Sequence, residues 1–245
     1  MRALRRDVGG MPLWAILLVI LVCVVVAAIL GASSAARGKV PQYTAPSDAS
    51  TPTIPAPMPF AVFLGDSYTQ GAGGAGVKWP AIVGEAHGWD VDNLGLGGTG
   101  YIQTSDVNGC GRTYCGSYRE AADEIVGSPS YIFVAGGRND LRLPAADIGA
   151  AADALFAELS ERYPHARIFV IAPWFDDDAP PSEMAGASAA IEAAAVAHGA
   201  VFLDTGEPLR DRPDLISEDG VHPNAEGYRA LAAAVAGVLD PQLAP

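Results

Sequence analysis

From residue 59 to the C-terminus, short apolar runs alternate with longer stretches in which apolar side chains recur every three or four positions. The short runs are Ala61 to Leu64, Val91 to Leu94, Tyr131 to Val134, Arg167 to Ala172 and Ala200 to Leu203, and each predicts a strand. The longer stretches predict helices over Trp79 to His87, Tyr118 to Val126, Ala145 to Tyr163, Pro181 to His198 and Asn224 to Leu239. Strands that are apolar nearly throughout need cover on both faces. The alternation therefore predicts an α/β fold, a three-layer αβα sandwich around a central five-stranded parallel sheet. In open sheets of this kind, sites form beyond the carboxyl ends of the strands.

The first 58 residues follow other rules. Residues 1–10 are a basic start with Arg2, Arg5 and Arg6, and Met11 to Leu30 is an uninterrupted apolar run. About 20 residues at about 1.5 Å each match a hydrocarbon core of about 30 Å, so residues 11–31 are expected to form one transmembrane helix. The small residues Gly31 to Ala36 also suit a signal-peptide cleavage site, so the segment reads as an anchor or as a removable signal. In either case the arginines stay inside, and the rest is expected outside the cytoplasm, held at the cell membrane or secreted. Residues 32–58 carry Pro41, Pro46, Pro52, Pro55 and Pro57 among Ala, Ser and Thr, the composition of an extended tether. Residues 59–245 form the folded domain.

Charge sharpens this picture. The chain has a formal net charge of −13, and residues 59–245 hold nearly all of its acidic side chains. Such a surface repels phosphate backbones, so nucleic acid is excluded as a partner. Of the three cysteines, Cys23 lies in the apolar run, while Cys110 and Cys115 flank a four-residue segment. No second Cys/His pair stands near them to complete a zinc site. In an oxidising compartment they are expected to form a small disulfide loop, free thiols being the alternative.

Two turns carry candidate chemistry. The first strand runs into Gly65-Asp66-Ser67-Tyr68-Thr69, which sets a serine at a helix N-terminus on the rim of the sheet. Far along the chain stands Asp219-Gly220-Val221-His222-Pro223. A serine hydroxyl needs a base, imidazole is suited to that task near neutral pH, and a carboxylate three residues earlier can hold the other ring nitrogen. Pro223 is expected in the first turn of the closing helix.

Gly65-Asp66-Ser67 and Asp219-x-x-His222-Pro223 resemble the first and last blocks of the SGNH (GDSL-type) hydrolases. Between them, Asn93-Leu94-Gly95-Leu96-Gly97-Gly98 resembles the family's Asn-x-Gly-x-x-Gly block, and Gly137-Arg138-Asn139-Asp140 resembles its Gly-x-Asn-Asp block. The ordered set spans residues 60–240. The resemblance implies a flavodoxin-like SGNH fold, with Ser67 as nucleophile, His222 as general base and Asp219 as its orienter. It implies an oxyanion hole formed by the Ser67 and Gly98 backbone N–H groups and the Asn139 amide. Tyr68 departs from the family motif, which has Leu there. Implied is an esterase or lipase acting through an acyl-Ser67 intermediate, on short-chain acyl, acetylated-carbohydrate or lipid esters. No metal, organic cofactor or obligate protein partner is implied. The same residues would also serve a cell-envelope O-acyltransferase. A non-catalytic glycan-binding module is a further alternative, though binding alone needs no such constellation.

Other candidates read as structural. His87 and His198 each precede a glycine at a helix end, and His165 follows Pro164 in a turn. Asp66 is expected to bond the backbone of its own turn. Asp204 is placed second to Asp219 as orienter. Asp176-Asp177-Asp178 is read as a solvated acidic loop in preference to a Ca²⁺ site. The loop Tyr101–Ser117, with Tyr101, Tyr114 and both domain cysteines, is expected to shape the substrate pocket.

Overall fold

The computed structural model describes residues 7–8, 11–35 and 58–244. It comprises two units, residues 1–55 and 56–245. The expected tether lies outside the described residues from position 36 to 57, as does the basic start apart from Asp7–Val8.

In the N-terminal unit, β1 (Asp7–Val8) pairs antiparallel with β2 (Met11–Pro12), and α1 (Leu13–Ala35) covers the apolar run. The transmembrane expectation is not borne out: among the described residues no helix is long and apolar enough to cross a membrane. Within α1, Trp14, Leu18, Leu21 and Val24 are exposed.

The second unit follows the alternating pattern. Its strands are β3 (Phe60–Gly65), β4 (Asp90–Asn93), β5 (Tyr131–Ala135), β6 (Arg167–Ile171) and β7 (Val201–Leu203). All pair parallel in the order β4-β3-β5-β6-β7, so the chain reverses direction across the sheet between β3 and β5. This is the switch point at which sheets of this class open a crevice.

The helices are α2 (Ser67–Gln70), α3 (Trp79–His87), α4 (Tyr118–Ala121), α5 (Ala145–Arg162), α6 (Glu183–Ala197) and α7 (Ala225–Leu243). Side chains along a strand alternate between faces, and here both faces are buried. Val62, Leu64, Ile132, Val134 and Val170 pack with α5 and α6 residues such as Phe156 and Ile191. Phe63, Phe133, Phe169 and Leu203 pack with Trp79 of α3 and Leu231 and Val235 of α7. On that second face Phe63, Phe133 and Phe169 stand in register on adjacent strands, with ring centroids 4.6 and 5.1 Å apart. Each such contact adds about 0.5–1.5 kcal/mol beyond area burial.

Two expected elements change extent. The helix expected over Tyr118 to Val126 is α-helical only to Ala121, continues as a 3₁₀ turn over Ala122–Glu124, and ends where Ile125 turns extended. The last helix starts after Pro223, with Asn224 as N-cap accepting from the backbone N–H groups of Glu226 and Gly227. Pro223 pairs with Ile216 in an antiparallel bridge instead of occupying the first helical turn.

Candidate active site

The first block sits where β3 ends. Asp66 caps α2, and its carboxylate accepts the Tyr68 backbone N–H at 2.9 Å. Ser67 is therefore the first residue of a helix, half-buried on the rim. Its backbone N–H and that of Gly98 meet no backbone acceptor among the described residues. Burial pushes the Asp66 carboxyl up to about 6, the Tyr68 N–H and the Arg138 charge opposing the shift only in part.

The last block is a turn built by Asp219. Oδ1 accepts the backbone N–H groups of Val221 and His222 at 2.9 Å each, and the Ser217 hydroxyl at 2.9 Å. Oδ2 faces His222 Nδ1 at 2.7 Å. Gly220 takes a positive φ of 69°, which the tight turn requires. Partial burial pushes the Asp219 carboxyl up, but bonds from the His222 backbone, the His222 ring, Val221 and Ser217 outweigh it and hold the group well below the usual carboxylate range. Asp204 instead accepts the Gly206 N–H in its own turn.

The two blocks meet through neighbours of the expected nucleophile and base. The Tyr68 hydroxyl donates to the Val221 carbonyl at 2.7 Å, and the Tyr68 and His222 rings lie 6.0 Å apart. Tyr228 of α7 donates to the Ala72 carbonyl at 2.7 Å and lies 3.4 Å from the Ser67 carbonyl. Ser67 and His222 thus occupy one edge of the domain without a direct hydrogen bond between them. Catalytic bonds are often loose before substrate arrives.

The two middle blocks also converge. Asn139 lies in a 3₁₀ turn (Arg138–Asp140) after β5, entered through Gly137 at φ 116°. Its amide donates to the Thr99 carbonyl at 2.8 Å, beside Gly98. Gly98 adopts φ 76°, and a Cβ there would come within 2.6 Å of the Ser105 hydroxyl. Gly98 and Asn139 line a cleft of about 1250 Å³, together with Ser105, Tyr114, Arg138 and Phe175. Ser67, Asp219 and His222 do not line it; the link is Arg138, which touches Tyr68 next to Ser67.

Three residues given no site role by sequence reasoning hold this region together. Asp140, fully buried, accepts the backbone N–H groups of Tyr101, Ile102 and Gln103 at 2.8, 3.1 and 2.8 Å. Arg138 donates to the Tyr68 hydroxyl at 2.6 Å and to Asp176 at 3.1 Å. Asp176 is buried as the partner of Arg138, not solvated as expected, because the guanidinium neutralises it. No cluster of metal-ligating side chains occurs among the described residues.

The Tyr101–Ser117 loop divides between core and cleft. Cys110 and Cys115 form a disulfide, and Ser105 pairs with Cys115 across the loop. Thr113 and Tyr114 line the cleft, whereas Tyr101 is buried against Tyr118 and Phe156. Of the remaining histidines, His87 bonds Asp240 at 3.0 Å and His198 bonds Asp153 at 2.7 Å, both as parts of helix packing.

The chain is also similar to known proteins. The model of the GDSL-like Lipase/Acylhydrolase family matches residues 63–230. A GDSL lipase of Mycobacterium tuberculosis is 32% identical over 201 residues, covering 76% of this chain and 83% of that protein. A protein of the G-D-S-L family from Desulfitobacterium hafniense shares the fold at a TM-score of 0.56 and 20% identity, covering 73% of this chain and 98% of its own. A carbohydrate acetylesterase from Sinorhizobium meliloti does so at 0.55 and 20%, covering 75% and 99%.

Proposed function

The chain belongs to the GDSL-like lipase/acylhydrolase family, and from that premise we propose that it is a serine esterase acting through an acyl-Ser67 intermediate. The observation that carries this reading is the Asp219–His222 turn, with its 2.7 Å carboxylate–imidazole bond, tied by a 2.7 Å bond to the residue after Ser67. His222 takes the serine proton as Ser67 attacks the ester carbonyl, then returns it to the leaving alcohol. Asp219 keeps Nδ1 protonated and leaves Nε2 as the base. The Ser67 and Gly98 N–H groups and the Asn139 amide receive the oxyanion. Water releases the acid in the second half.

The cleft wall supports a polar alcohol part. Gln103, Thr104, Ser105 and Glu183 supply hydrogen-bonding groups, and Phe175 and Tyr114 supply ring faces. That combination suits a sugar, whose hydroxyls bond and whose C–H faces stack. We therefore favour short acyl esters of carbohydrate, in line with the acetylesterase that shares the fold. The domain is proposed to work outside the cytoplasm, supported by the Cys110–Cys115 disulfide and the apolar helix at the N-terminus. That helix would be the export signal.

Labelling with a fluorophosphonate probe tests the chemistry. Wild type should react and Ser67→Ala should not; equal labelling of both would refute the assignment. Acetylated sugars should be cleaved faster than long-chain acyl esters, and the reverse order would refute the substrate class.

A further inference from the structure

Tyr68 is nearly fully buried, yet its hydroxyl is engaged from two sides. It donates to the Val221 carbonyl at 2.7 Å and accepts from Arg138 Nη1 at 2.6 Å. The same guanidinium reaches Asp176 at 3.1 Å and lies over the Phe175 ring at 4.6 Å and the Tyr68 ring at 5.1 Å. The Tyr68 ring packs 6.5 Å from Trp174 and 6.0 Å from His222, centroid to centroid. Each contact reaches a different part of the site. Tyr68 adjoins Ser67, Val221 adjoins His222, Arg138 adjoins Asn139, and Trp174 to Asp176 follow β6. Leucine, which the family motif has at this position, has no hydroxyl with which to make either bond.

We propose that Tyr68 is a positioning residue, a strut whose hydroxyl sets the Asp219–His222 turn against Ser67 while the Arg138–Asp176 pair holds the strut in place. The proposal rests on Ser67 and His222 being nucleophile and base. The strut itself moves no proton. Burial pushes the Tyr68 phenol above its ordinary value, the Arg138 charge opposing, so it remains a neutral donor to Val221 throughout the working pH range. Its effect is on where His222 stands. A displaced imidazole impairs both proton abstraction and protonation of the leaving group, and the second matters only when the leaving alcohol is a poor one.

Tyr68→Phe removes one oxygen and leaves the ring packing. Expected is a fall in kcat of about tenfold on an alkyl ester, a smaller fall on a nitrophenyl ester, and KM within about twofold on both. Amide exchange at Val221 and His222, read by hydrogen–deuterium exchange, should accelerate at least about tenfold while β3 and β5 keep their protection. Arg138→Gln should reproduce the leaving-group split, and adding it to Tyr68→Phe should do little more, because both act through one hydroxyl. An unchanged exchange rate in the 217–223 turn overturns the strut whatever the activity. So does an equal fall on both esters, which marks general loosening. Loss of the esterase reading would appear separately, as Ser67→Ala retaining wild-type turnover while the exchange result stands.

Discussion

The Asp219 carboxylate contacts His222 twice, through Oδ2 to the ring Nδ1 at 2.7 Å and through Oδ1 to the backbone N–H at 2.9 Å. One side chain therefore fixes both the path of the turn and the tautomer of the imidazole. Asp219→Asn retains an oxygen for the backbone bonds but presents an amide that cannot fulfil both tasks. The expected result is a fall in kcat of about 10³–10⁴-fold with probe labelling slowed in parallel. Because the turn is exposed, thermal stability should change little. Steady-state kinetics beside a melting curve checks both parts, and a variant within about threefold of wild type would contradict the role.

The oxyanion assignment makes a different demand. Asn139 holds its amide through the Thr99 carbonyl at 2.8 Å, and no charged group takes part in that bond. Asn139→Ala should lower kcat by about 10²–10³-fold and leave KM nearly unchanged, since the donor acts on charge that develops only in the transition state. A rise in KM at constant kcat would instead make Asn139 a ground-state contact.

Asp66 supplies a pH signature of stability. Its carboxyl is raised from 3.8 to about 6 by burial, so the folded state keeps a proton that the unfolded state releases. The contribution to stability is full below pH 3.8 and is lost as pH rises towards about 6. Above that, the ionised group carries a burial penalty on the order of 3 kcal/mol. Asp66→Asn stays neutral and keeps an oxygen for the Tyr68 N–H. Its stability relative to wild type should therefore rise between pH 4 and 6 and then level off. Urea unfolding at a series of pH values measures this, and parallel curves for the two proteins would disprove it.

The layers of this domain were legible because they depend on local pattern. Helix α3 begins and ends where expected, at Trp79 and His87, because Pro80 and Gly88 are unambiguous boundary signals. The stop after Ala121 was not legible, since the 3₁₀ turn at Ala122–Glu124 follows from how that segment packs. Within the candidate site, Ser67, Asp219 and His222 stand out as candidates because each lies in a short motif. The bonds from Tyr68 to Val221 and Arg138 join residues 153 and 70 positions apart, and no spacing rule reaches that far. Asp176 was misread for the same reason, its cation being 38 residues upstream. The N-terminal run shows the opposite limit. Its composition announces a membrane span, whereas among the described residues no helix is long and apolar enough to be one.

Asp140 brings stability and cleft shape together in one expectation. Its buried carboxylate holds three consecutive N–H groups, Tyr101 to Gln103, at the start of the loop whose later residues line the cleft. Asp140→Ala leaves those donors without an acceptor, and each orphaned group costs about 1–3 kcal/mol when water cannot reach it. Water will reach Ile102 and Gln103, which are exposed, so the expected loss is that of the one buried donor, about 1–3 kcal/mol. The farther end of the same loop is closed by the Cys110–Cys115 disulfide, worth about 2 kcal/mol for so short a ring. Removing both should destabilise by less than the sum, because a loop already released at one end has less order to lose at the other. The kinetic effect should appear in KM for a sugar ester, which must touch Ser105 and Tyr114, and also in kcat, since Gly98 and Asn139 share the same cleft wall. Urea midpoints and KM values for the two single variants and their combination test the coupling; strict additivity would show that the two clasps act on separate structures.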